Sequence, residues 1–247
     1  MRQLFPNPVD DVSVADRYAA DNRPTPADRP WVLANMISSV DGAIDIDGVS
    51  GGLGGPGDKA VFSAIRAVAD VIVVGAGTVI AENYRRPQTS PEQQERRLAR
   101  GQSAFPRLVI VSASLSVPAD HRVFDPDARP IIATHLTAPA ERVESLSAVA
   151  DIVACGETSV DLPGVLQELR SRGARTALLE GGPKLNGAMV AADLVDEWCV
   201  TMAPVMVGGD TALRMTSGSH THEPRPMRLD RTLVDGDYLF HRYVRTR

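Results

Sequence analysis

The sequence predicts an α/β fold: a largely parallel central sheet flanked by helices and closed by an antiparallel C-terminal hairpin. Three observations carry this. Apolar strand-like runs alternate with amphipathic segments from residue 31 to residue 195, the pattern of parallel strands joined by crossover helices. Residues 176–187, TALLEGGPKLNG, read as a buried strand, a Gly-Gly turn and a helix opened by Pro183; proline suits the first helical position, where its missing N–H leaves no bond unmade. Near the C-terminus, Asp235-Gly236 separates two strand-like runs, a favoured hairpin turn.

The elements follow in order. Residues 1–30 form a polar, proline-rich extension, with a short helix over 13–20 capped by Ser13 and a linker over 22–30 that wraps onto the body. Residues 31–247 form one domain with no internal repeat. Its first strand is 31–40 (WVLANMISSV), ending at Asp41-Gly42. The loop 48–57 (GVSGGLGGPG) holds six glycines in ten residues, an entropically costly choice unless a ligand or backbone must come close. A helix over 56–69 sets Val61, Ile65 and Val68 on one face, and 70–75 (DVIVVG) is a buried strand running into Gly77-Thr78. Residues 91–100 predict a charged, exposed helix behind Ser90. Strands follow at 107–112, 129–135 and 151–156, with a helix over 138–150 between the last two. A helix over 161–172 buries Leu162, Leu166 and Leu169 and stops at Gly173. After the glycine turn, 196–209 reads as a long strand interrupted at Pro204, and 227–244 as the hairpin.

Bulk properties narrow the function. The chain has 247 residues, 43% hydrophobic and 23% charged, ordinary values for a globular protein. Its net charge of −5 and lack of a basic stripe argue against nucleic acid as a partner. Cys155 and Cys199 lie apart in apolar runs and read as inert core thiols. His220 and His222 form an HxH pair among Thr, Ser and Pro that reads as a loop, so no metal site is expected. The first residues do not read as a signal peptide, and no apolar run reaches the roughly 20 residues that span a membrane. A cytoplasmic protein is expected.

Ligands of parallel sheets bind beyond the carboxyl ends of the strands. Asp41, Thr78, Ser112, His135 and Glu180-Gly181-Gly182 all fall at such ends. The glycine turn aims free N–H groups and the positive end of a helix dipole at a loop without side chains, which suits a phosphate. The same pattern also serves as an ordinary glycine-capped αβ turn.

Five segments in order, SSVDG (38–42), the glycine-rich loop, IRAVADVIVVGAGTV (65–79), LLEGGPKLNG (178–187) and LVDEWCVTMAPVMVGG (194–209), resemble the reductase half of the bacterial riboflavin-synthesis deaminase–reductase. The resemblance implies a dihydrofolate reductase-like fold over residues 31–209, and more weakly the hairpin. The HxE and PCxxC motifs of the zinc deaminase half are missing.

By resemblance, Ile37 and Gly52 contact a nicotinamide cofactor, with Gly75, Thr78, Glu82 and Ser112 on its ribose and phosphate side. Gly181, Gly182, Pro183, Lys184, Leu185, Asn186, Gly187 and Ala188 form the pyrophosphate turn, with a cis Gly181–Gly182 bond. Ser50, Arg66 and Glu180 contact substrate. Asp41 lies by the pyrimidine and is the residue whose loss would cost most turnover. Three departures stand out. The family's tryptophan after the substrate serine is absent, its first-strand lysine is Asn35, and its acidic segment reads AENYRRP, with Arg86 or Arg85 in place of the phosphate-binding arginine.

The expected function is NADPH-dependent reduction of a pyrimidine, most specifically 5-amino-6-(5-phosphoribosylamino)uracil. The alternatives are dihydrofolate reduction on the same fold and dinucleotide binding without turnover. NADPH over NADH or a deazaflavin is implied by resemblance alone. A homodimer is expected from the resemblance and from the apolar run 198–207.

Overall fold

The computed structural model describes residues 1–209, 213–218 and 223–246. The chain enters through β1 (Arg2–Phe5) and α1 (Val14–Ala20), then β2 (Trp31–Ser39) and α2 (Pro56–Val68). Next come β3 (Val71–Gly75), α3 (Ala76–Ala81), α4 (Pro91–Ala99), β4 (Arg107–Val111), β5 (Ile131–Thr134), α5 (Ala140–Ser147), β6 (Asp151–Ala154) and α6 (Leu162–Ser171). Then follow β7 (Thr176–Leu179), α7 (Pro183–Ala191), β8 (Glu197–Ala203), β9 (Met227–Asp235) and β10 (Tyr238–Arg245).

The strands form one sheet in the order β1-β9-β10-β8-β2-β7-β3-β4-β5-β6. From β8 to β6 every neighbouring pair is parallel, and β10, β9 and β1 add antiparallel strands at one side. The α/β class and the closing hairpin are therefore both present. The chain leaves a gap between β2 and β3 and fills it much later with β7. That reversal of winding order gathers the carboxyl ends of β2, β7 and β3 side by side.

The parallel strands bury both faces, so their sequences are continuous apolar runs. Leu33, Ile72, Val74, Leu108, Ile110 and Leu178 share one core with α1, α2, α3 and α5. Val32, Ala34, Val73, Val109, Ala177 and Leu179 share the other with α6 and α7.

Three local readings differ from the structure. The strand over 196–209 breaks at Pro204 as expected, since proline cannot extend a ladder, but it does not resume over 205–209. Its middle is not an exposed edge: β8 lies between β2 and β10. The helix behind Ser90 carries the capping box with Gln93, but Arg97 on it is fully buried. The Arg97 guanidinium donates to the carbonyls of Ala67 and Ala69 at the end of α2, 3.1 and 2.6 Å away. A cation there complements the helix dipole.

Residues 1–30 hold the expected helix, α1 capped by Ser13, and add a strand that was not expected. β1 pairs with β9, and Tyr18 of α1 is buried in the core. Arg23 donates to Glu197 on β8 through two bonds of 2.9 and 3.0 Å. Arg242 on β10 adds two more at 2.8 and 3.0 Å, and the Trp31 indole a fifth at 3.1 Å. Arg231 holds Asp21, and Arg29 holds Asp196 with bonds of 2.6 and 2.8 Å. The extension is thus fastened by buried ion pairs. A four-residue edge strand without alternation left no pattern to read in advance.

Burial alone would raise the Glu197 carboxyl, but Arg23 and Arg242 hold it down at about 2. A buried carboxylate stripped of a partner is strongly destabilising, about 3 kcal/mol. Arg23→Met is expected to lower unfolding stability by that order in urea titrations. Because the native pKa lies below the unfolded one, the contribution of Glu197 is complete above about pH 4.5 and is lost as pH falls towards 2. The wild-type advantage over the variant is expected to shrink across that window.

Candidate active site

A cavity of about 960 Å³ opens where β2, β7 and β3 end. Asn35, Met36 and Ile37 of β2 line one wall, and Gly75, Gly77 and Thr78 another. Residues 180–186 close its base, and Ser50, Gly51 and Gly54 of the glycine-rich loop border it opposite. Asp58, Lys59, Phe62 and Arg66 reach in from α2.

The base is the Gly-Gly turn. Gly181 has φ +84°, a conformation that side chains resist, and the Gly181–Gly182 bond is cis. The Gly75 N–H donates to the Gly181 carbonyl at 2.7 Å, tying β3 to the turn. Pro183 opens α7, whose first-turn N–H groups have no partner within the helix. A side chain at Gly187 would meet the Ser217 carbonyl at 1.9 Å, so only glycine fits there. Lys184 adds an exposed cation to this positive end.

Beside the turn, Glu180 ends β7 almost fully buried. The Arg66 Nε and Nη2 groups each donate to it at 2.7 Å, as does the Tyr84 hydroxyl. Arg66 also lies over the Phe62 ring, 4.2 Å from its centroid. Burial works to lower the Arg66 guanidinium, but Glu180 offsets this and leaves it above its usual value. Burial, then Glu180, pushes the Tyr84 phenol well up. Arg66 therefore stays charged and Tyr84 stays a neutral phenol at neutral pH. A helical ion pair of Arg66 with Asp70 is not formed; Asp70 instead accepts the N–H groups of Arg175 and Thr176.

Residues 30–239 match the family model described as the RibD C-terminal domain. The chain belongs to that family. It is 33% identical over 182 residues to the 2,5-diamino-6-ribosylamino-4(3H)-pyrimidinone 5′-phosphate reductase of Archaeoglobus fulgidus, covering 73% of this chain and 83% of that one. The reductase of the same name from Methanothermobacter thermautotrophicus is 31% identical over 87% of this chain and 98% of its own length. The fold matches the crystal structure of a pyrimidine reductase-like protein from Corynebacterium diphtheriae with a TM-score of 0.85, at 24% identity, over 96% of this chain and all of that one. The protein is therefore an oxidoreductase of a riboflavin-biosynthesis reductase family, one that implies a nicotinamide dinucleotide cofactor.

Most of the residues expected by resemblance to the family meet in this cavity. Ile37, Ser50, Arg66, Gly75, Thr78, Glu82, Glu180, Gly181, Gly182, Pro183, Lys184, Leu185 and Asn186 all line it. Glu82 accepts the Ser50 N–H at 2.8 Å and so anchors the glycine-rich loop. Others are placed elsewhere. Gly52 faces Ile46, and Ala188 lies exposed a turn into α7. Ser112 is buried, its hydroxyl without a hydrogen-bond partner. His135 shares a hydrogen bond with Thr137. Arg86 turns away to Asp125, 3.5 Å off, and to the Phe105 ring; its neighbour Arg85 reaches the cavity instead. The pair His220 and His222 lies outside the described residues.

Asp41 stands apart from the residues that line the cavity. It is exposed, is not among the cavity-lining residues, and accepts the Ser39 hydroxyl at 2.5 Å and the Gly208 N–H at 2.7 Å, with Val207 N–H at 3.2 Å. The Ser39 bond first, then those of Gly208 and Val207, hold its carboxyl at about 2. It clamps the segment after β8 to the turn after β2. Several lining residues escaped the sequence reading, Asp58, Tyr84, Asn83 and Arg122 among them. Asp58 looked like a common first-turn acid, and the others sit on loops with no periodic signal.

Asp41→Ala is expected to lower the melting temperature while turnover per folded molecule stays near wild type. The clamp is complete above the ordinary carboxylate value of 3.8 and is lost as pH falls through about 2. Thermal melts of both proteins between pH 2 and 7 check this; the difference between them is expected to shrink towards the acid end.

Proposed function

We propose that the chain is an NADPH-dependent reductase of a phosphorylated ribosylaminopyrimidine in riboflavin synthesis. The observation that carries this reading is one cavity joining the Gly181–Gly182 turn to the Arg66–Glu180–Tyr84 cluster. The turn suits a pyrophosphate: α7 presents its N-terminus there, Lys184 stands beside it, and Gly77 has open space around it. When bound, the cofactor supplies a hydride that, with one proton, converts the ring-opened imine of the ribosylamino group to a ribitylamino group, breaking the C=N double bond and leaving the nicotinamide oxidised.

The chain's own residues position and shield. Met36 and Ile37 offer an apolar wall to the nicotinamide. Arg66 is locked by Glu180 and Phe62, so it meets substrate in one orientation. Arg85 and Arg122 are exposed cations at the rim without an acid partner among the described residues, and they suit the substrate phosphate. The choice of NADPH rests on the likeness to the riboflavin reductases. The uracil expected from the sequence and the diaminopyrimidinone in the relatives' names differ at C2 of the ring. We place the reaction in the cytoplasm, with the other steps of small-molecule synthesis; no helix of the described residues is long and apolar enough to cross a membrane.

The assay is NADPH oxidation with each of the two phosphates, and no oxidation with either sinks the proposal. Gly182→Val provides a second check. A Cβ at this position would lie 2.6 Å from the Thr78 hydroxyl, so valine displaces Thr78 and fills the turn. Loss of NADPH binding with a retained fold is expected; unchanged affinity in a fluorescence titration counts against the cofactor site.

We propose a homodimer as well. Trp198, Val200 and Met202 of β8 and Leu239 and Tyr243 of β10 are cross-strand neighbours on one face, all half-buried. A second copy would cover this apolar patch. Light scattering at micromolar concentration is expected to give twice the chain mass of 26.4 kDa.

A further inference from the structure

Four carboxylates border the cavity, and three are already engaged. Glu180 is held by Arg66 and Tyr84. Glu82 accepts the Ser50 N–H, and Asp45 accepts those of Gly48 and Leu213. Asp58 differs. It stands half-buried in the first turn of α2, where its Oδ1 accepts the Thr201 hydroxyl at 2.7 Å. Among the described residues no cation faces it. Its Oδ2 borders Gly54, 2.9 Å from where a Cβ there would sit, so the glycine leaves this oxygen uncovered. Burial pushes the carboxyl above its usual value, and the Thr201 bond only partly opposes this.

The same wall holds a second unmet acceptor. Thr201 is the register partner of Ile37, and Asn35 lies two residues earlier on the same face of β2. Asn35 lines the cavity, and its Oδ1 is buried without a hydrogen-bond partner. Buried acceptors are normally satisfied, so this wall is built for a ligand that donates.

The geometry of a carboxylate selects the donor. A ring N–H beside an exocyclic amino group offers two parallel hydrogens in one plane, which a carboxylate receives as it receives a guanidinium. Oδ1 keeps a lone pair for this after Thr201 is served. A 2-amino-4-pyrimidinone has this edge. A uracil presents its C2 carbonyl there instead, lone pairs against an anion.

We propose that Asp58 is the specificity-determining residue for the ring, accepting the ring N–H and 2-amino group of a 2-amino-4-pyrimidinone and rejecting the matching uracil. The inference rests on reading the cavity as a ribosylaminopyrimidine site. A dihydropterin carries the same edge without the sugar phosphate, so it forms a third arm of the test.

The experiment compares wild type and Asp58→Asn, with NADPH, on 2,5-diamino-6-ribosylamino-4(3H)-pyrimidinone 5′-phosphate, its 2-oxo counterpart and dihydrofolate. Wild type is expected to favour the diamino ring by about 10²-fold or more in kcat/KM, the scale on which a polar site rejects a mismatched partner. Asp58→Asn is expected to bring that ratio near one, mainly through KM of the diamino substrate. Thr201→Val, which removes the bond orienting Asp58, is expected to shift the ratio the same way by less, and it carries the test if Asp58→Asn does not fold. An unchanged ratio in the variants, or a wild-type preference for the 2-oxo ring, overturns the proposal. Turnover of dihydrofolate above the diamino phosphate, with the uracil refused, supports Asp58 and counts against the sugar-phosphate reading. If neither phosphate is reduced, the proposed function fails by itself. Calorimetric binding of the two phosphates then decides on Asp58, and equal affinity overturns it.

Discussion

The site depends on the wedge made by β7 between β2 and β3. β7, inserted late in the chain between β2 and β3, turns at its carboxyl end through Gly181 and Gly182. The Gly75 N–H bonds the Gly181 carbonyl, so the turn and the end of β3 move as one body. Everything that lines the base follows from this contact. Thr78 follows closely after β3, α7 starts at once, and Glu180 is drawn into the cleft rather than left at its rim. A side chain at Gly181 would be strained by its φ of +84°, and one at Gly182 would meet the Thr78 hydroxyl at 2.6 Å, which leaves little room for variation.

A second constraint acts from the far side of β2. Glu197 and Asp196 open β8 fully buried, and the cations that satisfy them come from both the N-terminal segment and β10. Ion pairs of this kind contribute little net stability compared with apolar packing, but they are exacting about geometry. They fix where β8 begins relative to β2, and so set Thr201 opposite Ile37. The N-terminal segment therefore supports the wall of the cavity without touching it.

Within the cavity, charge is divided unequally. Arg66, Tyr84 and Glu180 satisfy one another and form a rigid polar block. Asp58 Oδ2 and Asn35 Oδ1 have no hydrogen-bond partner among the described residues. The block sets orientation, and the unsatisfied wall can select chemistry. Such a division fits a reductase, where the cofactor carries the reaction and the protein's task is to hold two planar groups face to face.

Most elements were legible in the sequence because they are local: apolar runs marked the strands, and Ser90, Pro183, Gly173 and Asp235-Gly236 marked where elements start and stop, while the short β1 and α3 went unread. The strand–Gly-Gly–Pro–helix turn was legible because Gly181 answers a local backbone need, its φ of +84°, whereas the close approach of Thr78 to Gly182 is a product of the tertiary structure. Asp41 and Asp58 show the limit. Both are acids beside glycines near a strand or helix end, and nothing local distinguishes them. Only the tertiary structure decided that Asp41 faces backbone N–H groups at residues 207 and 208, outside the cavity, while Asp58 faces Thr201 inside it. Tyr84, Arg122 and the N-terminal arginines were equally silent in the sequence. What a polar side chain does depends on the partners that the fold brings to it, and many of those partners lie about 30 to 210 residues away in the chain.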